Sequence, residues 1–419
     1  MKKLLVSLLL AVMAGAAAGQ TGPSETSLVR EHDGWWNAPE RPAVHAVVRN
    51  PSKRTRSGSL RLLVTPDIPG RCPTIEQTSE YRVAAGDSVV VAFAPLEVDP
   101  GFYRCTIERD GVRVDSMNIG YEPLNIVSLP DSQPDFQLFW EEALAELAAV
   151  DPQYTMTEVP EWSGTKRKVY LVQMRSLGNE LIQGYLTMPI AKGVYPVSLY
   201  FNGYGSKPWH VAADGNPDWI EFVLFERGQA LNAENNRFGD WFYYGMGDRM
   251  AYYYRGAFMD CVRAIDFVWQ LPQTDRSNIF AEGGSQGGAY TLAAAALDGR
   301  LTAIAPSIPF LSDFPDYAQI AEWPVNPALR TADAQGVSRE AIFEMLSYFD
   351  IKNLARRIKC PVLMGVGLQD QVCPPHTNFS GFNLIEAPKS FIIYQHEGHR
   401  VPPAEWHPVK RQFFEKNRK

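Results

Sequence analysis

An α/β fold with a mostly parallel sheet, preceded by a small all-β domain, is what the amino-acid sequence predicts. Three observations carry this expectation. The chain has 419 residues, room for two or three domains at about 150 residues each. Before residue 121, short strand-like runs alternate with turn chemistry. After residue 135, strands and amphipathic helices take turns, as in a mostly parallel α/β sheet.

The elements follow in chain order. Lys2-Lys3 precede an apolar run from Leu4 to Met13 and the small residues Ala14 to Gly19. A basic head, an apolar centre and an Ala-x-Ala tail predict a signal peptide over residues 1–19. Export to the periplasm or the extracellular space is therefore expected. The apolar run falls short of the roughly 20 residues that span a bilayer. No later stretch reaches that length, so no integral membrane segment is expected.

Residues 20–122 read as an immunoglobulin-like β domain. Val44 to Val48, Ser59 to Thr65, Asp87 to Ala94, Tyr103 to Glu108 and Arg113 to Ile119 are strand-like. Asn50-Pro51, Pro69-Gly70 and Asp99-Pro100-Gly101 separate them, and Asp110-Gly111 predicts a two-residue hairpin. Regular spacing of short strands is the pattern of a sandwich. Of the five cysteines, Cys72 and Cys105 share this region. Export would permit a bridge between them, and the alternative is small buried hydrophobes. Trp35-Trp36 suit a sugar platform or a buried packing pair.

Residues 123–134 form a proline-containing linker. In Asp135 to Val150, Phe136, Phe139-Trp140, Leu144 and Leu147 share one helical face. The region 135–419 is the α/β domain, with strands over Val197 to Phe201, Asn278 to Ala281, Val362 to Val366 and Ser390 to Tyr394. Helices are expected over Phe258 to Trp269 and Tyr290 to Leu297. The aromatic stretch from Trp241 to Tyr254 reads as core or as an access path.

With 40 Lys+Arg against 47 Asp+Glu, the chain carries a formal charge of −7. That offers no basic field for a polyanion, so no nucleic-acid partner is expected. No Cys-x-x-Cys or Cys/His cluster points to a metal.

Gly283-Gly284-Ser285-Gln286-Gly287 fits Gly-x-Ser-x-Gly. Three fixed positions match by chance in about one chain in ten of this size. Here a strand runs in and an Ala-rich helix runs out, which is the context of a nucleophile elbow. A serine hydroxyl is a poor nucleophile without a base and a group that orients the base. In an α/β-hydrolase these follow as an acid and then a histidine. Asp370 lies just past the strand Val362 to Val366, and His399 follows the next strand. His399 would take the Ser285 proton, and Asp370 would fix the imidazole tautomer. His396 is a rival base and Glu397 a rival acid, though Glu397 precedes the histidine. His376 and His407 are expected in exposed loops, and His210 on a rim. His396-Glu397-Gly398-His399 lacks the spacing of a zinc motif.

The apolar strand Val197 to Phe201 opens onto Asn202-Gly203-Tyr204-Gly205. The N–H groups of Tyr204 and Gln286 are the expected oxyanion hole. The Tyr204 ring could also wall a small acyl pocket and so bind substrate.

Asn202-Gly203-Tyr204, Arg227-Gly228-Gln229, Gly283 to Gly288, Ile308 to Phe314, Gly367 to Asp370 with Cys373-Pro374-Pro375, and Gly398-His399 lie in order. Together these blocks resemble the acetyl xylan esterase/cephalosporin-C deacetylase family (carbohydrate esterase family 7) over about residues 130 to 419. The resemblance implies an α/β-hydrolase that removes acetyl groups from sugar hydroxyls through Ser285, Asp370 and His399, without a cofactor. The partner would be an acetylated oligosaccharide or a small acetyl ester. Arg227-Gly228-Gln229 would brace the site. Asn202 stands where the family usually has His, and Arg400 replaces the acidic residue after His399. The β domain lies outside the resemblance, and as part of a homo-oligomer it could block the ring-like assembly known in the family.

Two other readings stand beside a secreted acetyl esterase. One keeps the triad but changes the bond, to another ester or a peptide as in prolyl-oligopeptidase-like enzymes. The other is an inert hydrolase fold carried by a polysaccharide-binding β domain.

Overall fold

The computed structural model describes residues 25–30 and 33–419. The expected signal peptide lies outside the described residues. The N-terminal strands are β1 (Thr26–Arg30), β2 (Trp35–Trp36), β3 (Val44–Arg49), β4 (Arg56–Pro66), β5 (Ile75–Val83), β6 (Ser88–Ala92), β7 (Gly101–Arg109) and β8 (Val112–Tyr121). They form two sheets, ordered β1-β3-β6 and β2-β8-β7-β4-β5. Side chains alternate about each strand. Val44, Ala46 and Val48 of β3 meet Leu60, Leu62 and Val64 of β4 and Cys105 and Ile107 of β7 in one core. Between β7 and β8, Asp110 and Gly111 both take positive φ, 53° and 75°. Those are the left-handed conformations a two-residue hairpin turn needs. Trp36 is buried, and Trp35 packs edge-on against Phe391, 5.4 Å between centroids. The tryptophan pair is packing. All five cysteines are free, with the Cys72 sulfur 3.5 Å from the Tyr103 hydroxyl. No bridge joins Cys72 to Cys105.

Helix α1 (Phe136–Ala149) opens the second domain and buries Phe136, Phe139, Trp140, Ala143 and Leu147. Nine strands follow in one sheet: β9 (Thr155–Glu158), β10 (Arg167–Ser176), β11 (Glu180–Pro189), β12 (Tyr195–Phe201), β13 (Ile220–Phe225), β14 (Thr274–Gly284), β15 (Ala303–Ser307), β16 (Val362–Gly367) and β17 (Lys389–Tyr394). Their order is β17-β16-β15-β14-β12-β13-β11-β10-β9. From β13 to β17 every neighbouring pair is parallel, whereas β9, β10 and β11 join antiparallel. Helices α2 (Tyr253–Gln270) and α3 (Gln286–Leu297) pack on the sheet, and all of α3 is buried. Four short helices, α4 (Phe314–Ile320), α5 (Val325–Ala334), α6 (Arg339–Ser347) and α7 (Ile351–Leu354), lie between β15 and β16. Helix α8 (Pro375–Asn383) precedes β17, and α9 (Pro403–Lys416) closes the chain. This is the α/β-hydrolase architecture, with a β sandwich in front of it.

The two parts share apolar and polar contacts. Phe102 of β7 lies in the hydrolase core, 5.7 Å from the Phe379 ring of α8. Asn383 Nδ2 donates to the carbonyls of Pro123 and Ile126, both at 2.9 Å. His376, expected in an exposed loop, is fully buried on α8 instead. Its Nε2 lies 3.0 Å from Asp316 Oδ2 of α4, and its Nδ1 lies 3.4 Å from Asp67 Oδ2 of the sandwich. The Asp67 contact is an ion-pair distance without hydrogen-bond alignment. Asp313 and Lys352 stand nearby, with Lys352 Nζ 3.1 Å from Asp313 Oδ1. Burial disfavours a charged imidazole, but Asp316 and Asp67 outweigh it and lift the His376 pKa to about 9.

A group whose pKa rises on folding stabilises the fold below its unfolded value and stops doing so as pH climbs through its folded value. The ordinary His pKa is about 6.5, so the window here runs from there to about 9. His376→Asn should cost about 3 to 5 kcal/mol at pH 6, typical of breaking a buried pair. The gap between wild type and variant in urea unfolding should narrow as pH rises from about 6.5 to about 9. A gap constant from pH 6 to pH 10 would contradict the charged pair.

Candidate active site

The nucleophile candidate sits where β14 turns into α3. Ser285 has φ 57° and ψ −120°, outside the regions that side chains prefer. The crowding around it explains the glycines. A Cβ on Gly283 would lie 2.4 Å from the Gly287 carbonyl oxygen, and one on Gly287 would lie 2.2 Å from that of Phe201. Neither position admits a side chain. The Ser285 N–H donates to the Ser307 carbonyl at 3.0 Å, tying the elbow to β15.

Asp370 follows β16 and is buried. Its Oδ1 accepts from the N–H groups of Val372 at 2.8 Å and Cys373 at 2.9 Å. Oδ2 is thereby turned toward His399 Nδ1, 2.8 Å away. His399 Nε2 lies 2.9 Å from Ser285 Oγ. The three residues taken from the sequence thus form one hydrogen-bonded line. The loops after β16 and β17 approach closely, since a Cβ on Gly367 would sit 2.0 Å from the Gly398 carbonyl oxygen. His396, the rival base, lies exposed on the β17 loop. Glu397 pairs with Arg400, which holds its carboxyl below the usual range. His210 stacks on Trp162 at 4.2 Å, and His407 is exposed on α9, a helix instead of the expected loop.

Opposite the elbow, Asn202 to Gly205 leave the end of β12. Ser285 spends its N–H on Ser307, and Gly205 gives its own to Gln229 Oε1 at 3.3 Å. Tyr204 precedes Gly205 on this loop, and Gln286 opens α3, where helix donors lack intrahelical partners. Beneath them the Gln286 side chain is buried, accepting from the Tyr254 hydroxyl at 3.0 Å and donating to Gln229 Oε1 at 3.3 Å. Gln229 also donates to the Tyr253 hydroxyl at 2.8 Å, which donates to the Arg227 carbonyl at 2.9 Å. Arg227 in turn makes a two-point contact with buried Asp260, at 2.9 and 2.7 Å. Burial raises the pKa of Tyr253 and Tyr254 well above the ordinary phenol value, so both hydroxyls stay protonated as donors.

The Tyr204 hydroxyl donates to Asp240 Oδ1 at 2.5 Å, and its ring meets Trp241 and Trp323 edge-on at 4.7 and 5.6 Å. The aromatic stretch divides accordingly. Phe242 and Tyr252 to Tyr254 are core, while Trp241 and Tyr243 are partly exposed near Tyr204. Behind the elbow, a cavity of about 570 Å³ lies between α9 and β12 to β15. Its walls include Asn202 and Gly284 but neither Ser285 nor His399, so it adjoins the line without containing it. Asp313, Asp316 and His376 form the one group among the described residues with metal-ligand spacing. Lys352 Nζ already supplies a cation to Asp313.

A family model for acetyl xylan esterases matches residues 126–416. The chain belongs to the acetyl xylan esterase family. It is accordingly a carboxylic ester hydrolase. The acetyl esterase Axe7A of Xylanibacter ruminicola is 32% identical over 336 residues, covering 75% of this chain and 74% of its own. The solved acetyl xylan esterase of Paenibacillus sp. R4 aligns with a TM-score of 0.64 at 28% identity, over 71% of this chain and 98% of that one. Acetyl xylan esterase 1 of a Thermoanaerobacterium species gives 0.63 at 26% identity, over 70% and 97%. The sandwich lies before the matched residues of this esterase. The two departures from the family pattern are both accommodated. Asn202 donates to the Leu224 carbonyl at 2.5 Å and accepts from Trp209 Nε1 at 2.7 Å, while Arg400 pairs with Glu397.

Gly287→Ala should destabilise the esterase by about 3 kcal/mol or more, because the added carbon meets backbone. Gly284→Ala should cost far less, since its Cβ would meet the rotatable Ser307 Oγ at 3.1 Å. Urea unfolding of the two variants checks the contrast.

Proposed function

We propose that this esterase removes acetyl groups from acetylated xylan or xylo-oligosaccharides, outside the cytoplasm, through an acyl-enzyme intermediate. The observation that carries the reading is the line from Asp370 through His399 to Ser285, at 2.8 and 2.9 Å, on a strained elbow in a member of the acetyl xylan esterase family. Family relatives named as acetyl and acetyl xylan esterases support the substrate class.

Ser285 Oγ attacks the acetyl carbonyl carbon as His399 Nε2 takes its proton. The carbonyl π electrons move to oxygen, and the oxyanion accepts hydrogen bonds from the N–H groups of Gln286 and Tyr204. The positive end of α3 adds to this stabilisation. Collapse of the tetrahedral intermediate breaks the bond to the sugar oxygen, which takes the proton from His399. Water then attacks the acetyl-serine with His399 as base again, releasing acetate and restoring Ser285. Asp370 Oδ2 keeps Nδ1 protonated and steadies the imidazolium. The Tyr204 ring, fixed by Asp240 and its two tryptophan neighbours, walls the acetyl pocket.

Acetate release from acetylated xylan and from a chromogenic acetate ester tests the reading. Ser285→Ala should lower kcat on both by about 10⁴-fold or more. His396→Ala should leave kcat within about twofold, because His396 lies outside the line. Wild-type protein that releases no acetate from either substrate would refute the reading. Loss of activity in His396→Ala but not in His399→Ala would reassign the base.

A further inference from the structure

Gln369, the residue before Asp370, is held by the β sandwich. The Asn118 N–H of β8 donates to Gln369 Oε1 at 2.7 Å, and Gln369 Nε2 donates back to the Asn118 carbonyl at 3.1 Å. This is a two-point rung, in which a side-chain amide pairs with a strand backbone as another strand would. Asn118 Nδ2 adds a third bond, to the Leu368 carbonyl at 3.1 Å. The same Gln369 reaches the second loop. Its Nε2 also donates to the Gln395 carbonyl at 3.0 Å, and its N–H to the Glu397 carbonyl at 2.8 Å. One residue therefore touches the sandwich, the loop of Asp370 and the loop of His399.

We propose that the β sandwich is a positioning element of the reaction: through Asn118 it fixes Gln369, and Gln369 sets the Asp370 loop against the His399 loop. The proposal rests on the assignment of Ser285, Asp370 and His399 as the triad. Geometry favours positioning over mere docking. The sandwich is anchored elsewhere by Phe102 on Phe379 and Trp35 on Phe391, and the linker behind it by Asn383 on the 123–126 segment. None of those contacts leads directly into the Asp370 loop. The Asn118 contact does, ending one peptide bond from the carboxylate whose 2.8 Å bond orients the base. Freed of its rung, the loop can shift, and a shift of about 1 Å at such a contact is enough for large losses of rate. Gln369 and Asn118 touch no substrate and are positioning residues.

The test uses the full chain and a small chromogenic acetate ester. Gln369→Met keeps length and volume but removes the side-chain hydrogen bonds. Asn118→Ala keeps the backbone rung and removes the bond to Leu368, together with the one Asn118 Oδ1 accepts from Arg104 within the sandwich at 3.0 Å. Asn383→Ala removes side-chain bonds of similar kind to the linker behind the sandwich, away from the triad. Gln369→Met should lower kcat about tenfold with KM within twofold. Asn118→Ala should lower it about threefold, again in kcat. Asn383→Ala should lower the unfolding midpoint but keep kcat per folded molecule. Folded Gln369→Met with kcat within twofold of wild type would overturn the proposal, as would an equal fall in kcat for Asn383→Ala. If Gln369→Met does not fold, Asn118→Ala decides: an unchanged kcat overturns the proposal. Ser285→Ala in parallel separates the two readings. Retained activity there refutes the triad itself, whereas its loss beside a fully active Gln369→Met refutes only the positioning role.

Discussion

Between the carbonyl of Phe201 and the backbone of Gly287 there is no room for a β-carbon, and that crowding governs the hydrolase domain. It forces β14 to turn abruptly into α3 and leaves Ser285 at a φ of 57°. Such a conformation persists only when its surroundings over-determine it. Here the surroundings are the Ser307 carbonyl on β15, the strand β12 beside it and a helix buried along its whole length. Move any of them and the serine leaves the line to His399.

Under the elbow lies a second set of constraints, and they are polar. The buried amides of Gln286 and Gln229, the hydroxyls of Tyr253 and Tyr254, and the Arg227–Asp260 pair are linked in one network. A buried network of this kind is rigid only while each member is satisfied. Its upper end meets the Gly205 N–H, and so it holds the loop of Tyr204 to the start of α3.

What the sequence disclosed, and what it hid, follows from where the physical signal is local. The elbow was legible because its glycines, strand and helix are contiguous. Asp370 and His399 were legible because each lies just past an apolar strand. Strand β5 was not, since its residues alternate between exposed and half-buried with hardly an apolar side chain among them. Strands β10 and β11 carry Gln, Arg, Thr and Tyr among their apolar residues, and they blurred the period. Helix α3 begins four residues earlier than its Ala-rich run suggested, because the motif glycines belong to its first turn. His376 resembles a loop residue by its proline neighbours, and only the fold supplies Asp316 and Asp67. For Asn118 no local signal exists: the loop residues it holds, Leu368 and Gln369, lie 250 and 251 positions away.

That separation bears on how the chain assembles. The cost of closing a flexible loop rises only with the logarithm of its length, so a contact across 251 residues is little dearer in entropy than one across half as many. All eight strands of the sandwich precede β16 and β17 in the chain, and in the fold the turn that leaves β16 settles against β8.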